Sequence, residues 1–178
     1  MLTVRDLHAI GTSRSPEDFE HEVGPFVLIQ KPPDPIFARV AMTLRASSTI
    51  PMAHRNRLAD QLLTMLRGFE KMWVFTATGL AAGGEVLIGR AEECHVRVDE
   101  PSVSKHHATV RWQPPPQSST VRDLGSTNGT FVNARAIAQV EMPIADGDAL
   151  GFGDAQFLFM TPRTLHAQLL TAGPPRDE

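Results

Sequence analysis

The chain has one cysteine, Cys94, in 178 residues, so no intrachain disulfide can staple it, a usage that fits a reducing cytoplasm. It also lacks any apolar run long enough to span a membrane, and Met1-Leu2-Thr3-Val4-Arg5-Asp6 is not followed by the apolar core of a signal peptide. A cytoplasmic protein with no membrane partner is the expectation. Positive charge is not in excess: the formal net charge is −3, and from Lys71 to Thr161 seven basic residues stand against ten acidic ones. That balance argues against a broad nucleic-acid footprint. Cys94-His95 and His106-His107 lack a second Cys/His cluster at zinc spacing, and neighbouring strand residues point to opposite faces, so neither a metal nor another cofactor is expected. There is no nucleophile elbow and no P-loop, and Ser104 and His107, three residues apart in one loop, do not make a triad. The chain reads as a binding protein rather than an enzyme.

What the sequence does carry is three short blocks: Gly89-Arg90, then Ser104-Lys105-His106-His107, then Asp123-Leu124-Gly125-Ser126-Thr127-Asn128-Gly129-Thr130-Phe131-Val132-Asn133. In this order and at these separations they resemble the signature of forkhead-associated (FHA) domains, the modules that bind phosphothreonine. The resemblance covers Lys71 to Thr161, about half the chain. A phosphothreonine carries nearly two negative charges and three strong acceptor oxygens. Arg90 offers a permanently charged, rigid fork that matches phosphate oxygens, Ser104 a hydroxyl and Lys105 a mobile point charge. Each charge-assisted bond contributes about 1.5–3 kcal/mol net.

The resemblance implies that Arg90, Ser104 and Lys105 face the phosphate and that Thr127 and Asn128 hold the peptide near and beyond the phosphothreonine. An asparagine suits that second task because its amide both donates and accepts. The resemblance further implies that Gly89, His107, Gly129 and Asn133 support the site. His107 would do so from within the loops, and Asn133 would brace the chain after Val132. Asn128-Gly129 flanked by apolar residues reads as a tight hairpin turn, with Gly129 at positive φ. Ala134 stands where the family often has glycine.

Short apolar runs alternating with turn signals predict an all-β sandwich, and the resembled fold has eleven strands with its binding loops at one end. Trp73–Ala77 is the expected first strand, followed by Glu85–Ile88, His95–Val98, Ala108–Trp112, Thr120–Leu124, Phe131-Val132, Ala149–Phe152 and Gln156–Met160. Bends fall at Gly147-Asp148 and Gly153-Asp154, and Pro114-Pro115-Pro116 fills a connection because it cannot donate ladder bonds. Thr161-Pro162 has the form of a helix cap, with Leu165 and Leu169 on one face of a short carboxy-terminal helix and Gly173-Pro174-Pro175 as its stop. The expected division is an amino-terminal extension over 1–70, an FHA-like domain over 71–161 and a helix with a disordered tail over 162–178.

The extension reads as mixed and partly helical. Ser15-Pro16-Glu17-Asp18 opens a helix that carries Phe19 and Val23 and stops at Gly24-Pro25, and Phe26–Ile29 is a strand candidate. Phe37–Leu44 is strand or helix, and Leu58, Leu62, Met65, Leu66 and Phe69 form a helical stripe that must be buried on the sandwich or its own segment, in a homo-oligomer, or on another protein. Thr3 followed by Asp6 has a spacing that some FHA-type modules prefer in their ligands. On that reading a phosphorylated, mobile start would fold back onto Arg90 and Ser104.

These expectations lead to a phosphothreonine-dependent adaptor whose partner is a threonine-phosphorylated protein linked to a serine/threonine kinase. The alternative is a phosphate-independent scaffold or oligomerisation protein, for example in a secretion or regulatory assembly.

Overall fold

The computed structural model describes residues 2–30, 73–79, 83–114 and 118–172. The ambiguous element at 37–44, the helical stripe at 58–69, Pro115-Pro116 and the 173–178 tail lie outside them.

Twelve strands among the described residues form two sheets: β1 (Leu2–Thr3), β2 (Val27–Gln30), β3 (Trp73–Thr76), β4 (Glu85–Gly89), β5 (Val96–Arg97), β6 (Ala108–Arg111), β7 (Ser119–Asp123), β8 (Thr130–Val132), β9 (Arg135–Ile137), β10 (Met142–Ile144), β11 (Ala149–Phe152) and β12 (Ala155–Met160). The larger sheet runs β1-β3-β2-β12-β11-β8-β9 and the smaller β10-β7-β6-β4-β5. All pairs are antiparallel except β4 with β5. Between the sheets lies a core built by period-two alternation: Leu28, Phe157, Phe159, Leu150 and Phe152 from one side, Val86, Ile88, Val110 and Val121 from the other.

The opposite face of the larger sheet is also apolar. Val27, Ile29, Val74, Leu158 and Met160 point away from the sandwich and are covered by Leu7, Phe19, Val23, Leu165 and Leu169. These come from α1 (Val4–Ser13), α2 (Pro16–Val23) and α3 (Pro162–Ala172), so the apolar faces of all three described helices are spent on the sheet. Gly11 lets α1 approach α3, since an added Cβ would come to 3.2 Å from the Leu169 side chain.

The expected boundary at residue 71 does not separate the packing. β2 lies between β3 and β12, in register Ile29↔Val74 and Ile29↔Leu158, and Val27, Leu28 and Ile29 are all buried. A strand apolar on both faces belongs inside a covered sheet. Among the described residues Trp73–Thr76 is the first strand of the 71–161 segment, but two strands, β1 and β2, precede it in the chain. α2 starts and stops as expected, capped by Ser15 and ended by Gly24.

The expectation of a mobile start at Thr3 is not met. Thr3 pairs with Trp73 in β1 and caps α1. Its Oγ1 accepts from the Asp6 amide at 3.3 Å, while Asp6 Oδ2 accepts from the Thr3 amide and hydroxyl, each at 2.7 Å. Threonine with an acid three residues on is here a capping box, and the Thr3 hydroxyl lowers the Asp6 pKa.

A second correction concerns Asn128-Gly129. β7 and β8 belong to different sheets, so the segment between them is a crossover and not a hairpin, although Gly129 does sit at φ +82°. The two-residue hairpin is one step later. Val132 pairs with Arg135, leaving Asn133 (φ 49°) and Ala134 (φ 59°) as the turn, both in the left-handed region that a type I′ turn demands.

Candidate functional site

The site is assembled where β4 and β7 end and β6 begins. Gly89 closes β4 and hands the chain to Arg90. It must be glycine because the Lys105 backbone crosses directly over its Cα: an added Cβ would lie 2.8 Å from the Lys105 carbonyl carbon and 3.0 Å from Cys94 Sγ. Two backbone bonds then lock the loops together, from the Arg90 amide to the Ser104 carbonyl at 3.0 Å and from the Ala91 amide to the Lys105 carbonyl at 3.1 Å. The buried Cys94 thiol donates to the Lys105 carbonyl at 3.2 Å, and burial raises its pKa. On the outer rim His106 Nε2 and Glu93 Oε1 meet at 2.7 Å.

Arg90, Ser104, Lys105, Thr127 and Asn128 line one open groove together with Pro101, Ser102 and Val103. Arg90 is exposed, its Nε donates to the Val103 carbonyl at 3.3 Å, and among the described residues it forms no ion pair. A guanidinium presents a planar fork of donors whose geometry matches the oxygens of an anion. Ser104 Oγ accepts from the Thr127 amide at 3.0 Å and donates toward Thr127 Oγ1 at a weak 3.5 Å, so its proton can re-aim at an arriving phosphate. Asn128 Nδ2 donates to the Ser102 carbonyl at 2.7 Å, which leaves the carboxamide oxygen and the second amide proton for a ligand.

Beneath the groove lies His107, fully buried. Its Nδ1 accepts from the Ser104 amide at 3.0 Å, so Nε2 carries the proton and donates to the Gly129 carbonyl at 3.0 Å. One ring thereby ties the loop of Ser104 to the loop of Asn128. Burial lowers its pKa from 6.5, against smaller opposing effects of the Gly129 carbonyl and Asp123. Because His107 serves the Ser104 backbone and not its hydroxyl, the two do not form a nucleophile and base. Asn133 bonds to Asp148 Oδ1 at 2.8 Å and to the Ala149 amide at 2.9 Å, anchoring the β8–β9 turn to the start of β11.

Three organising groups were not assigned a role at the site from the sequence. Asp123 is buried and accepts from the Gly125 amide, the Ser126 amide, the Ser126 hydroxyl and the Thr130 hydroxyl at 2.6–3.0 Å. Burial alone would raise its pKa, but these bonds outweigh it and the pKa is lowered. An aspartate two residues before a glycine is an Asx-turn signal that could have pointed to it. Ser102 carries no comparable signal, and Gly153 is expected only as a bend. Ser102 Oγ accepts from the Asp154 amide at 2.9 Å, and Gly153 (φ +57°) approaches so closely that an added Cβ would lie 2.6 Å from the Ser102 carbonyl oxygen. The β11–β12 turn thus backs the carbonyl that positions Asn128.

Comparison with known proteins agrees with this geometry. Residues 86–153 match the FHA domain family. The FHA domain-containing protein FhaB of Mycolicibacterium smegmatis is 32% identical over 118 residues, covering 65% of this chain and 70% of FhaB. The FHA domain-containing protein FhaA of Mycobacterium tuberculosis is 35% identical over 75 residues, 42% of this chain, but the match spans only 14% of FhaA. Among solved structures, the FHA domain of the CT664 protein from Chlamydia trachomatis is 17% identical and superimposes with a TM-score of 0.49, covering 77% of this chain and 97% of that one. The family match on the strands and loops that build the groove, together with the extended likeness to FhaB, shows that this chain belongs to the FHA domain-containing proteins.

Proposed function

We propose that this chain is a phosphothreonine-dependent protein-binding adaptor that joins a threonine-phosphorylated partner to a serine/threonine kinase pathway in the cytoplasm. The observation that carries this reading is Arg90, a charged fork that faces an open groove with no acidic partner among the described residues. Arg90, Ser104 and Lys105 hold the phosphate oxygens, while Thr127 and the unoccupied side of the Asn128 amide hold the peptide. The chain's net charge of −3 is weakly repulsive to an anionic partner, so attraction comes from local focusing in the groove and weakens with added salt. Two or three charge-assisted bonds, less the cost of ordering a flexible peptide, correspond to dissociation constants on the order of micromolar. Gly89, His107, Gly129 and Asn133 hold the loops in place and do not touch the ligand.

The test is titration with matched peptides that differ only in phosphorylation of one threonine. Binding of the phosphorylated member alone supports the adaptor. Equal binding of both members replaces it with a phosphate-independent scaffold.

A further inference from the structure

Asn128 is followed by Gly129, the sole Asn-Gly step in the chain; the other asparagines, Asn56 and Asn133, precede Arg57 and Ala134. This dipeptide has its own chemistry. The glycine backbone nitrogen, unscreened by any Cβ, attacks the asparagine Cγ. A new N–C bond closes a five-membered succinimide, the Cγ–Nδ2 bond breaks, and Nδ2 leaves as ammonia with the amide proton. Water then opens the ring at either carbonyl to give aspartate or isoaspartate, and no oxidant or catalyst is required.

The surroundings favour the reaction at this asparagine over Asn133. Asn128 is exposed on the crossover loop, and its carboxamide has one hydrogen bond among the described residues, from Nδ2 to the Ser102 carbonyl. Gly129 gives its carbonyl to His107 and Gly153, but among the described residues nothing holds its N–H. Beside it an added Cβ would meet the Phe131 ring at 3.5 Å, an ordinary van der Waals contact and not a clash. Asn133, in contrast, is held at both ends of its amide, by Asp148 and by the Ala149 N–H, and is followed by alanine.

The geometry points to Asn128-Gly129 as a self-deamidation site whose conversion removes the peptide-anchoring amide from the groove. The loss of affinity rests on the phosphothreonine reading above; the deamidation itself does not. An aspartate at 128 cannot donate to the Ser102 carbonyl, so two acceptors confront each other. It also sets a negative charge beside an incoming phosphate, and isoaspartate adds a methylene to the backbone of the loop. A bound peptide that engages the free side of the carboxamide slows the cyclisation.

The full chain is aged in mildly alkaline buffer at body temperature, with and without a saturating phosphothreonine peptide. Samples are mapped by mass spectrometry that separates aspartate from isoaspartate. The expected result is conversion at Asn128 while Asn133 keeps its amide, slower conversion with peptide present, and affinity that falls with the converted fraction. Asn128→Asp should bind about tenfold or more weakly, and Asn128→Gln, one methylene too long for the five-membered ring, should not convert; unfolding curves for both establish that they fold. The proposal is overturned if Asn128 stays intact while an unstructured peptide spanning residues 126–131 converts, or if converted protein binds as tightly as fresh protein. Should fresh protein bind neither member of a matched peptide pair, the phosphothreonine reading fails and the proposed loss of affinity with it, while the mass map still decides the chemistry at Asn128.

Discussion

The Lys105 carbonyl rests against the bare Cα of Gly89, at a distance that leaves no room for a methyl group. The strand that delivers Arg90 and the loop that delivers Ser104 therefore share one backbone-to-backbone contact, extended by the Arg90–Ser104 and Ala91–Lys105 hydrogen bonds. Gly89→Ala should force the loops apart. Its expected cost is about 1–3 kcal/mol of stability, the range for overpacking, with phosphopeptide affinity falling further than stability because Arg90 and Ser104 lose their spacing. Denaturant titration and calorimetry on the same preparations separate the two effects. Wild-type affinity in a stable variant would show that the contact does not set the site.

Arg90 itself is exposed, and its one side-chain hydrogen bond among the described residues, to the Val103 carbonyl, is long at 3.3 Å. Arg90→Ala should unfold within about 0.5 kcal/mol of wild type while binding of a verified phosphothreonine peptide is lost. Arg90→Lys keeps the charge without the planar fork and should also bind poorly. A lysine variant with full affinity would reduce the site to a point-charge patch.

At the β8–β9 turn the requirement for positive φ falls on Asn133 and Ala134. Asparagine tolerates that region, and here its side chain is anchored on Asp148 and Ala149. Alanine has no such compensation and is strained by about 1–2 kcal/mol. Ala134→Gly should stabilise the protein by somewhat less, about 0.5–1 kcal/mol, because the glycine loses more backbone freedom on folding. Differential scanning calorimetry reads this as a rise in Tm, and an unchanged or lowered Tm would contradict the strain.

The residues that meet in the groove were legible because each one's chemistry is local: an arginine after a strand, a serine and lysine in a loop, an asparagine before a glycine. The sandwich was legible for a related reason, since period-two burial marks strands such as β6 and β7 wherever one face meets the core. Partner strands were not. Nothing in Asn128-Gly129 tells a hairpin from a crossover, because the difference lies in whether β7 pairs with β8 or with β6 and β10. The same holds at the amino terminus, where Thr3 and Asp6 satisfy two patterns at once. The capping box wins because α1 has a sheet face to cover, and Leu7 is completely buried on it. Ser102 and Gly153 become part of the site only through a turn about fifty residues away in sequence.

The two buried titratable groups beneath the groove predict how the fold responds to acid. His107 has a folded pKa below its ordinary value of 6.5, mainly because burial disfavours its charged form. The unfolded chain therefore takes up that proton more readily than the folded one. Stability is full above about pH 6.5 and falls as the pH drops toward the folded value. Asp123 follows the same sign at lower pH: its bonds from Ser126, Thr130 and Gly125 hold the folded pKa below 3.8, so its contribution is lost as the pH falls below about 4. Stability, not affinity, is the quantity to measure, because the ligand phosphate gains its own proton near pH 6 and would mimic the first step. Denaturant midpoints for the free protein should decline from about pH 7 to about pH 5 and then again below about pH 4. His107→Gln, which keeps a donor toward Gly129, should start less stable and lack the first decline. If the variant and the wild type showed parallel curves through that first window, the acid sensitivity would have to come from another group, and His107 would be a packing residue alone.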